Sequence, residues 1–443
     1  MAQVARRYLI LGAGVAGIAA AQAIRTSDSG AKIGVVSDDP FGYYSRPGLA
    51  YYLTGEIDEK LLFPYSNTEM RDYHLDWHTS RVMRIDPAEH QVQLDTQAWL
   101  PYDRLLIATG SLASPLKVPG AESKGVVKLD SLGDARMILQ AARQTRRAVV
   151  VGGGITALEL VEGLRSRGLQ VHYLLRGERY WNNVLDDTES QIIEKRLEHQ
   201  GVRIHYKTEL AEIQSQQGRV TGVTTKDGRM IPCGLVAYAI GVKPRMNLAQ
   251  VAGLRVERGI IASDHLQTSD PDIYAAGDVA QVFDPYSGQS VLDTLWSTAR
   301  QQGQAAGLNM AGSATRYTKS VPLNVTRLAG LTTTIIGTVG HGADESLAGI
   351  ARGDSETWRK LPDSVTAETR FEVNRLRLLV GEKRLLGAIV MGDQTLSIPL
   401  QTLIDRQADI TAIRDQLLRS EQLGDVVASL WEKWRTEHAH AQS

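Results

Sequence analysis

The sequence predicts an α/β protein made of two doubly wound parallel-sheet units and a smaller α+β region after them. Three observations carry that expectation. A buried apolar strand runs into a glycine turn and then a helix-forming stretch at Tyr8–Gly17, and the same order returns at Ala148–Glu159. After each repeat the chain passes through short alternating strands and reaches a buried strand ending in glycine, at Leu105–Gly110 and at Leu235–Gly241. From Val321 onward the pattern changes to strands separated by turns, closed by an amphipathic helix over Asp425–His438.

In the first repeat, Gly12, Gly14 and Gly17 stand in a complete G-x-G-x-x-G spacing, and a helix over Val15–Ile24 follows. Such a loop lets backbone N–H groups approach a pyrophosphate that then sits on the positive end of the helix. Lys32–Val36 reads as the second parallel strand, and an acid at its end would take a ribose hydroxyl. Spacing offers Ser37 or Asp38, with Asp38 preferred. Arg46, just before Pro47, has the guanidinium geometry for a phosphate or else lies in solvent. His74 and His78 are four apart and would share a face if helical, with no third metal ligand nearby. Short strands are expected at Ser80–Asp86 and His90–Leu94, then a linker over Ser111–Gly120.

In the second repeat, Gly152, Gly154 and Ala157 occupy the three loop positions. The strand Gln170–Leu175 follows, and after it the chain reads Leu175-Arg-Gly-Glu-Arg179, with no acid at the strand end. Arg176 there is suited to a 2′-phosphate, although Glu178 is close; NADH and NADPH both stay open. Farther on, Ile273–Ala276 is a short strand. Gly277 permits close approach, and Asp278, read as preceding a helix, is placed to accept hydrogen bonds from ribityl-type hydroxyls or to cap a turn. Trp296–Met310 reads as a helix with small residues on one face.

Composition narrows the function classes. Lys+Arg 49 against Asp+Glu 50 leaves a net charge of -1, which offers no basic field to nucleic acid. No apolar run reaches the ~18 residues of a membrane span. The first residues run straight into a strand without the shape of a signal peptide, and a cytoplasmic location is expected. The single cysteine, Cys233, excludes an intrachain disulfide and any multi-cysteine metal site, and it reads as a packed residue of a buried strand. No metal site is expected.

Taken together, the glycine loop at Gly12–Gly17, Ala-Thr-Gly at Ala108–Gly110, the loop at Gly152–Glu159, Ala-Ile-Gly at Ala239–Gly241 and YAAGDVA at Tyr274–Ala280 resemble, in order, the FAD-dependent pyridine nucleotide-disulfide oxidoreductases. The resemblance implies two dinucleotide-binding (Rossmann-like) domains, one inserted in the other. FAD would occupy residues 1–115 with 242–315, NAD(P)H residues 116–241, and residues 316–443 would form a C-terminal α+β interface domain used for a homodimer. On the FAD side the implied contacts are Gly12, Gly14, Val15, Ala16, Gly17, Ser37 or Asp38, Arg46, Pro47, Val82, Ala108, Thr109, Gly110, Gly277, Asp278 and Trp296, the last as a ring near the isoalloxazine. On the nicotinamide side they are Gly152, Gly154, Ile155, Ala157, Arg176 and Gly241.

Where disulfide reductases of the family carry redox cysteines, this chain has Tyr44-Ser-Arg-Pro-Gly-Leu-Ala-Tyr51. The Tyr-x-Arg-Pro pattern is similar to the rubredoxin, ferredoxin and nitrite reductase branch. That branch often has a lysine at the position of Tyr51, paired with a glutamate matching Glu159, and this chain lacks that lysine; Glu159 is the one catalytic candidate, as a carboxylate near the flavin edge and nicotinamide amide, or else a salt-bridge residue of the helix surface. The implied activity is hydride transfer from NAD(P)H to flavin, then electron transfer to a small redox protein. The alternatives are reduction of oxygen or another small acceptor, and a slow redox sensor of the apoptosis-inducing-factor type.

Overall fold

The computed structural model describes residues 6–284, 288–339, 374–420 and 422–438. The first residues of the chain, 1–5, on which the location was partly read, lie outside them, as does much of the region after Val321.

The two predicted parallel sheets are present. The first orders its strands as Ile273–Ala275, Arg104–Ile107, Arg7–Leu11, Lys32–Ser37 and Leu75–Thr79. The second orders them as Arg203–His205, Gln170–Leu174, Arg147–Val151, Leu235–Tyr238 and Val126–Lys128. In both, the strand before the glycine loop is central and pairs in parallel with the next strand on one side and the glycine-ended strand on the other. Apolar residues on both faces of these strands fit a sheet covered by helices. Each sheet is accompanied by a three-stranded antiparallel meander, Val82–Asp86 to Trp99–Pro101 in one and Leu210–Gln216 to Met230–Pro232 in the other.

The repeats differ in the origin of the fifth strand. In the first sheet Ile273–Ala275 comes from beyond the second unit, and it pairs with Arg104–Ile107. The second unit is therefore threaded into the first, as the resemblance implies. The chain crosses between them twice, and the crossings pair with each other: Ser111–Ala113 runs antiparallel to Val242–Pro244. The stretch Ser111–Gly120, expected as a linker, does carry the chain between the units, but its first three residues are a strand. Three residues are too few to show a period, and their pairing partner lies far away in sequence.

Helix Trp296–Met310, whose limits match the sequence reading, packs on helix Val15–Ser27. The contact is nearly backbone to backbone. A Cβ on Gly303 would fall 2.1 Å from the Ala16 carbonyl oxygen, and one on Gly307 2.4 Å from that of Ala20. The small-residue face is thus a steric requirement. Two further readings are corrected. His74 has φ 47 and His78 lies in strand Leu75–Thr79, so the pair is not helical; the nearby helix ends at Asp72. Asp278 sits in a turn between strands, because Ala280–Asp284 is drawn into pairing with Ile260–Ala262 instead of starting a helix.

The C-terminal region forms a four-stranded antiparallel sheet, with helices Ser397–Asp405, Arg414–Arg419 and Leu423–His438 after it. Leu328, Leu331 and Ile335 of this sheet share a buried cluster with Leu49 and Leu53 of the first unit and Leu158 and Val161 of the second. No helix of the described residues is long and apolar enough to cross a membrane.

Candidate dinucleotide cleft

The carboxyl ends of both parallel sheets open into one continuous cleft of about 1790 Å³, the place where open α/β sheets bind ligands. Each glycine loop is closed by the same device. Gly12 has φ +115, and a Cβ there would lie 2.2 Å from the Ala108 carbonyl oxygen; Gly152 has φ +143, and its Cβ would lie 2.1 Å from that of Ala239. The Ala-Thr-Gly and Ala-Ile-Gly segments are therefore the walls against which the loops turn. Only glycine fits, for both φ and contact.

Gly14 and Gly154 cap the two helices in extended conformation without a side-chain hydrogen bond, and a Cβ on either would meet nothing within 4 Å. The first-turn N–H groups of both helices thus face open space, the geometry that accepts a phosphate. Gly12, Gly14, Val15, Ala16, Ser37, Asp38, Arg46, Pro47, Val82, Ala108, Thr109, Gly110, Gly277, Asp278 and Trp296 all line this cleft. So do Gly152, Gly154, Ile155, Ala157, Arg176 and Gly241. Gly17 does not; it lies behind the loop, where a Cβ would be 2.0 Å from the Gly12 carbonyl oxygen.

Several of these side chains are already engaged. Asp38 lies 3.7 Å from Arg81 and 3.8 Å from Arg245, so it meets two cations at the strand end. The Ser37 hydroxyl accepts from the Asp39 N–H at 3.2 Å. Arg46 donates to the Asp130 carbonyl at 3.3 Å and lies 3.9 Å from Asp39, which ties the two units together across the cleft. Asp278 accepts from the Ser111 hydroxyl at 2.6 Å. At the second strand end, Glu178 is held by Lys207 at 2.6 Å and Arg179 by Asp187 at 2.7 Å.

Arg245, Lys128 and Thr294 are among the cleft residues that escaped the sequence reading. Arg245 reaches Asp38, and its N–H donates to the Gly110 carbonyl at 2.9 Å. Its only sequence signal is its place four residues after Gly241. Lys128 pairs with Asp130 and Asp134 at 3.2 and 3.0 Å; burial pushes its ammonium down, but the two carboxylates outweigh that and hold it above its usual value. Thr294 lines the cleft just before the Trp296 helix. The buried Thr294 hydroxyl, Trp296 indole N–H and Arg245 Nε have no partner among the described residues. Unsatisfied buried polar atoms in a cleft are the signature of a site completed by a ligand. Together with the two glycine cradles they fit two dinucleotides.

Glu159 is buried but lies outside this cleft. It lines a second, small chamber of about 30 Å³ with Pro47, Ala50, Tyr51, Thr54, Glu56, Glu162, Thr326 and Arg327. Pro47 lines both spaces. The cation missing at Tyr51 is supplied to this chamber by Arg327, from strand Leu323–Leu328 of the C-terminal sheet. Cys233 is buried beneath the second sheet, away from the cleft, and burial pushes its thiol up to about 12. No thiol lines the cleft among the described residues.

Two threaded parallel-sheet units whose glycine loops face one cleft define a protein with paired dinucleotide sites. Residues 6–303 match the family model described as pyridine nucleotide-disulphide oxidoreductase, and the chain belongs to that family. It is 28% identical to the assimilatory nitrate reductase electron transfer subunit of Bacillus subtilis over 96% of this chain and 52% of that protein. It is 31% identical to the biphenyl dioxygenase system ferredoxin–NAD(+) reductase component of Paraburkholderia xenovorans, over 83% of this chain and 90% of that one. The ferredoxin reductase for the CYP199A2 system of Rhodopseudomonas palustris has the same fold, with TM-score 0.81 and 24% identity over 96% of this chain and 100% of that chain. The chain spans about half the length of the two Bacillus subtilis relatives it matches over nearly all of its own length.

Proposed function

We propose that the chain is an FAD-dependent NAD(P)H oxidoreductase that passes electrons to a small redox protein of the rubredoxin or ferredoxin kind. One observation carries the reading: both glycine loops open into a single cleft that holds three buried donors without a partner among the described residues, and no cysteine lies there. When bound, a flavin accepts hydride and releases electrons singly, so the protein has to bind, align and exclude water more than to act as acid or base. Gly12 and Gly14 would hold one dinucleotide and Gly152 and Gly154 the other, in the cleft that both loops line. The Trp296 ring and its free N–H stand at the start of a helix rigidly packed on the first loop helix. Arg46 bridges the two units at the cleft through the Asp130 carbonyl, and Lys128 fixes Asp130 and Asp134 on the second unit's side. On this reading residues 1–115 with 242–315 form the FAD domain, 116–241 the nicotinamide domain and 316–443 the interface domain.

The carrier reading is supported by relatives such as the NADH-rubredoxin oxidoreductase of Clostridium acetobutylicum, 28% identical over 90% of this chain. Cytoplasmic location and a homodimer through the C-terminal region belong to the same proposal. Anaerobic titration of the flavin-loaded protein with NADH and NADPH, followed by turnover with and without added rubredoxin or ferredoxin, tests the whole. Rapid bleaching with carrier-dependent turnover is the expected result. Carrier-independent oxygen consumption at the same rate would favour a small-acceptor oxidase, very slow bleaching a sensor, and a chain that retains no flavin would end the reading.

A further inference from the structure

The turn between strand Val126–Lys128 and helix Leu132–Ala142 of the second unit forms one wall of the cleft, and two side chains of the first unit grip it. Tyr44 Oη accepts the Leu132 N–H at 2.9 Å, and Arg46 donates to the Asp130 carbonyl at 3.3 Å. Resting on the flavin and nicotinamide reading above, we propose that Tyr44 is a positioning residue for hydride transfer. Its hydroxyl fixes the cleft wall of the nicotinamide unit against the neighbouring segment Arg46–Pro47 of the flavin unit.

The first N–H groups of a helix have no partner within it. At this helix Ser131 and Asp134 form a capping box. Asp134 Oδ2 accepts the Asp130 and Ser131 N–H groups, each at 3.0 Å, and the Ser131 hydroxyl accepts that of Asp134 at 3.1 Å. The Leu132 N–H goes instead to Tyr44, across the boundary between the units. A tyrosine hydroxyl can donate once while it accepts. Tyr44 donates to Asp39 Oδ2 at 2.8 Å, which turns its lone pairs toward Leu132. Asp39 is itself fixed, since its Oδ1 accepts the Phe41 N–H at 3.1 Å and its own N–H donates to the Ser37 hydroxyl at 3.2 Å. A chain of hydrogen bonds thus runs from the end of strand Lys32–Ser37 through Asp39 and Tyr44 to the first turn of a helix in the other unit. The gripped turn also holds the strand Ser111–Ala113 that crosses between the units, because the Asp130 carboxylate accepts the Ala113 N–H at 2.9 Å.

The two units are held together outside the cleft as well, by Arg136 with Glu59 at 2.6 Å and by Arg167 with the Leu53 carbonyl at 2.9 Å. The Tyr44 ring shares a buried cluster with Leu49, Leu53 and Leu132. Removing the hydroxyl alone therefore leaves the units docked and releases the turn at the cleft wall. Hydride transfer needs the reacting atoms within about 3–3.5 Å, and a shift well under an ångström already slows it. Alignment is thus lost before stability is.

The test compares the full-length, flavin-loaded protein with Tyr44→Phe and with Tyr52→Phe, which loses a hydroxyl bond to Glu59 outside the cleft. Anaerobic stopped-flow bleaching at saturating NADH or NADPH, expressed per bound flavin, should be about tenfold slower in Tyr44→Phe and unchanged in Tyr52→Phe. With the nucleotide deuterated at C4, the primary isotope effect in Tyr44→Phe should equal or exceed that of the parent, because the transfer step itself is slowed. Independently of activity, hydrogen exchange over Leu129–Leu132 should be about tenfold faster in Tyr44→Phe than in the parent. An unchanged bleaching rate or unchanged exchange in Tyr44→Phe, an equal loss in Tyr52→Phe, or a loss confined to flavin content would each overturn the proposal. Rapid exchange of the Leu132 amide in the parent would overturn it even if the variant misfolds. A parent that holds no flavin, or is bleached by neither nucleotide, ends the proposed function and this inference together; a failure confined to the variants ends this inference alone.

Discussion

At the first loop the third position is Gly17, whose Cβ would strike the Gly12 carbonyl oxygen at 2.0 Å; at the second the same position is Ala157, fully buried and accommodated. Both loops turn against an alanine carbonyl, Ala108 in one and Ala239 in the other, and both helices start on an open glycine cap. The difference lies in how near the helix approaches the turn. Val15–Ser27 is pressed from its other side by Trp296–Met310 through Gly303 and Gly307, and that sandwich leaves no room for a methyl group. The second loop helix packs on Leu49–Thr54, where Gly163 meets the Leu53 side chain. A tight cradle suits a resident cofactor, and a looser one suits a cosubstrate that must leave.

That contrast can be broken by exchange. Gly17→Ala should abolish flavin retention, because a methyl group 2.0 Å from a backbone oxygen forces the turn or the helix to move. Ala157→Gly should cost only about 1 kcal/mol in unfolding free energy and leave flavin bound. Flavin absorbance per chain together with thermal melting measures both; equal losses would erase the asymmetry. A smaller effect is expected at the second strand end. With Glu178 held by Lys207, Arg176 faces the cleft, and Arg176→Ala should lower kcat/KM for NADPH about tenfold relative to NADH. An unchanged ratio would remove Arg176 from 2′-phosphate binding.

A comparable effect concerns acid. His172 pairs in register with Val149 as Gly34 does with Leu9, so the second sheet carries an imidazole where the first has none. His172 Nδ1 lies 2.9 Å from His205 Nε2, and the rings stack. Burial, then His205 and the nearby arginines, push His172 down to about 4. The unfolded chain takes up this proton near pH 6.5 and the folded one does not, so stability present above about pH 6.5 is lost as pH falls toward 4. His172→Leu should flatten that slope by about 1–2 kcal/mol, given partial solvent screening. Urea midpoints between about pH 4 and 7 measure it.

Much of this was legible in the sequence because it is local. Strand, turn and helix at each loop follow from apolar runs broken by glycine, and the limits of Trp296–Met310 follow from its small-residue spacing. The threading of one unit into the other came from the order of motifs and is seen in the pairing of Ile273–Ala275. What was missed has its cause elsewhere in the chain. Ser111–Ala113 becomes a strand only because Val242–Pro244 lies beside it, and Asp278 precedes a strand only because Ile260–Ala262 is waiting. Arg245 gains a place in the cleft from its reach to Asp38.

The sequence by itself determined two glycine loops, their order and the exclusion of an intrachain disulfide, since these rest on residue types at short spacing and on a count of one cysteine. Only the tertiary structure decided that both cradles share one cleft, and that Glu159 stands behind Pro47 with Glu56, Glu162 and Arg327 rather than in that cleft. The physical reason is range. Backbone conformation is set by neighbours in sequence, whereas the energy of a buried charge is set by whichever groups folding brings within a few ångströms.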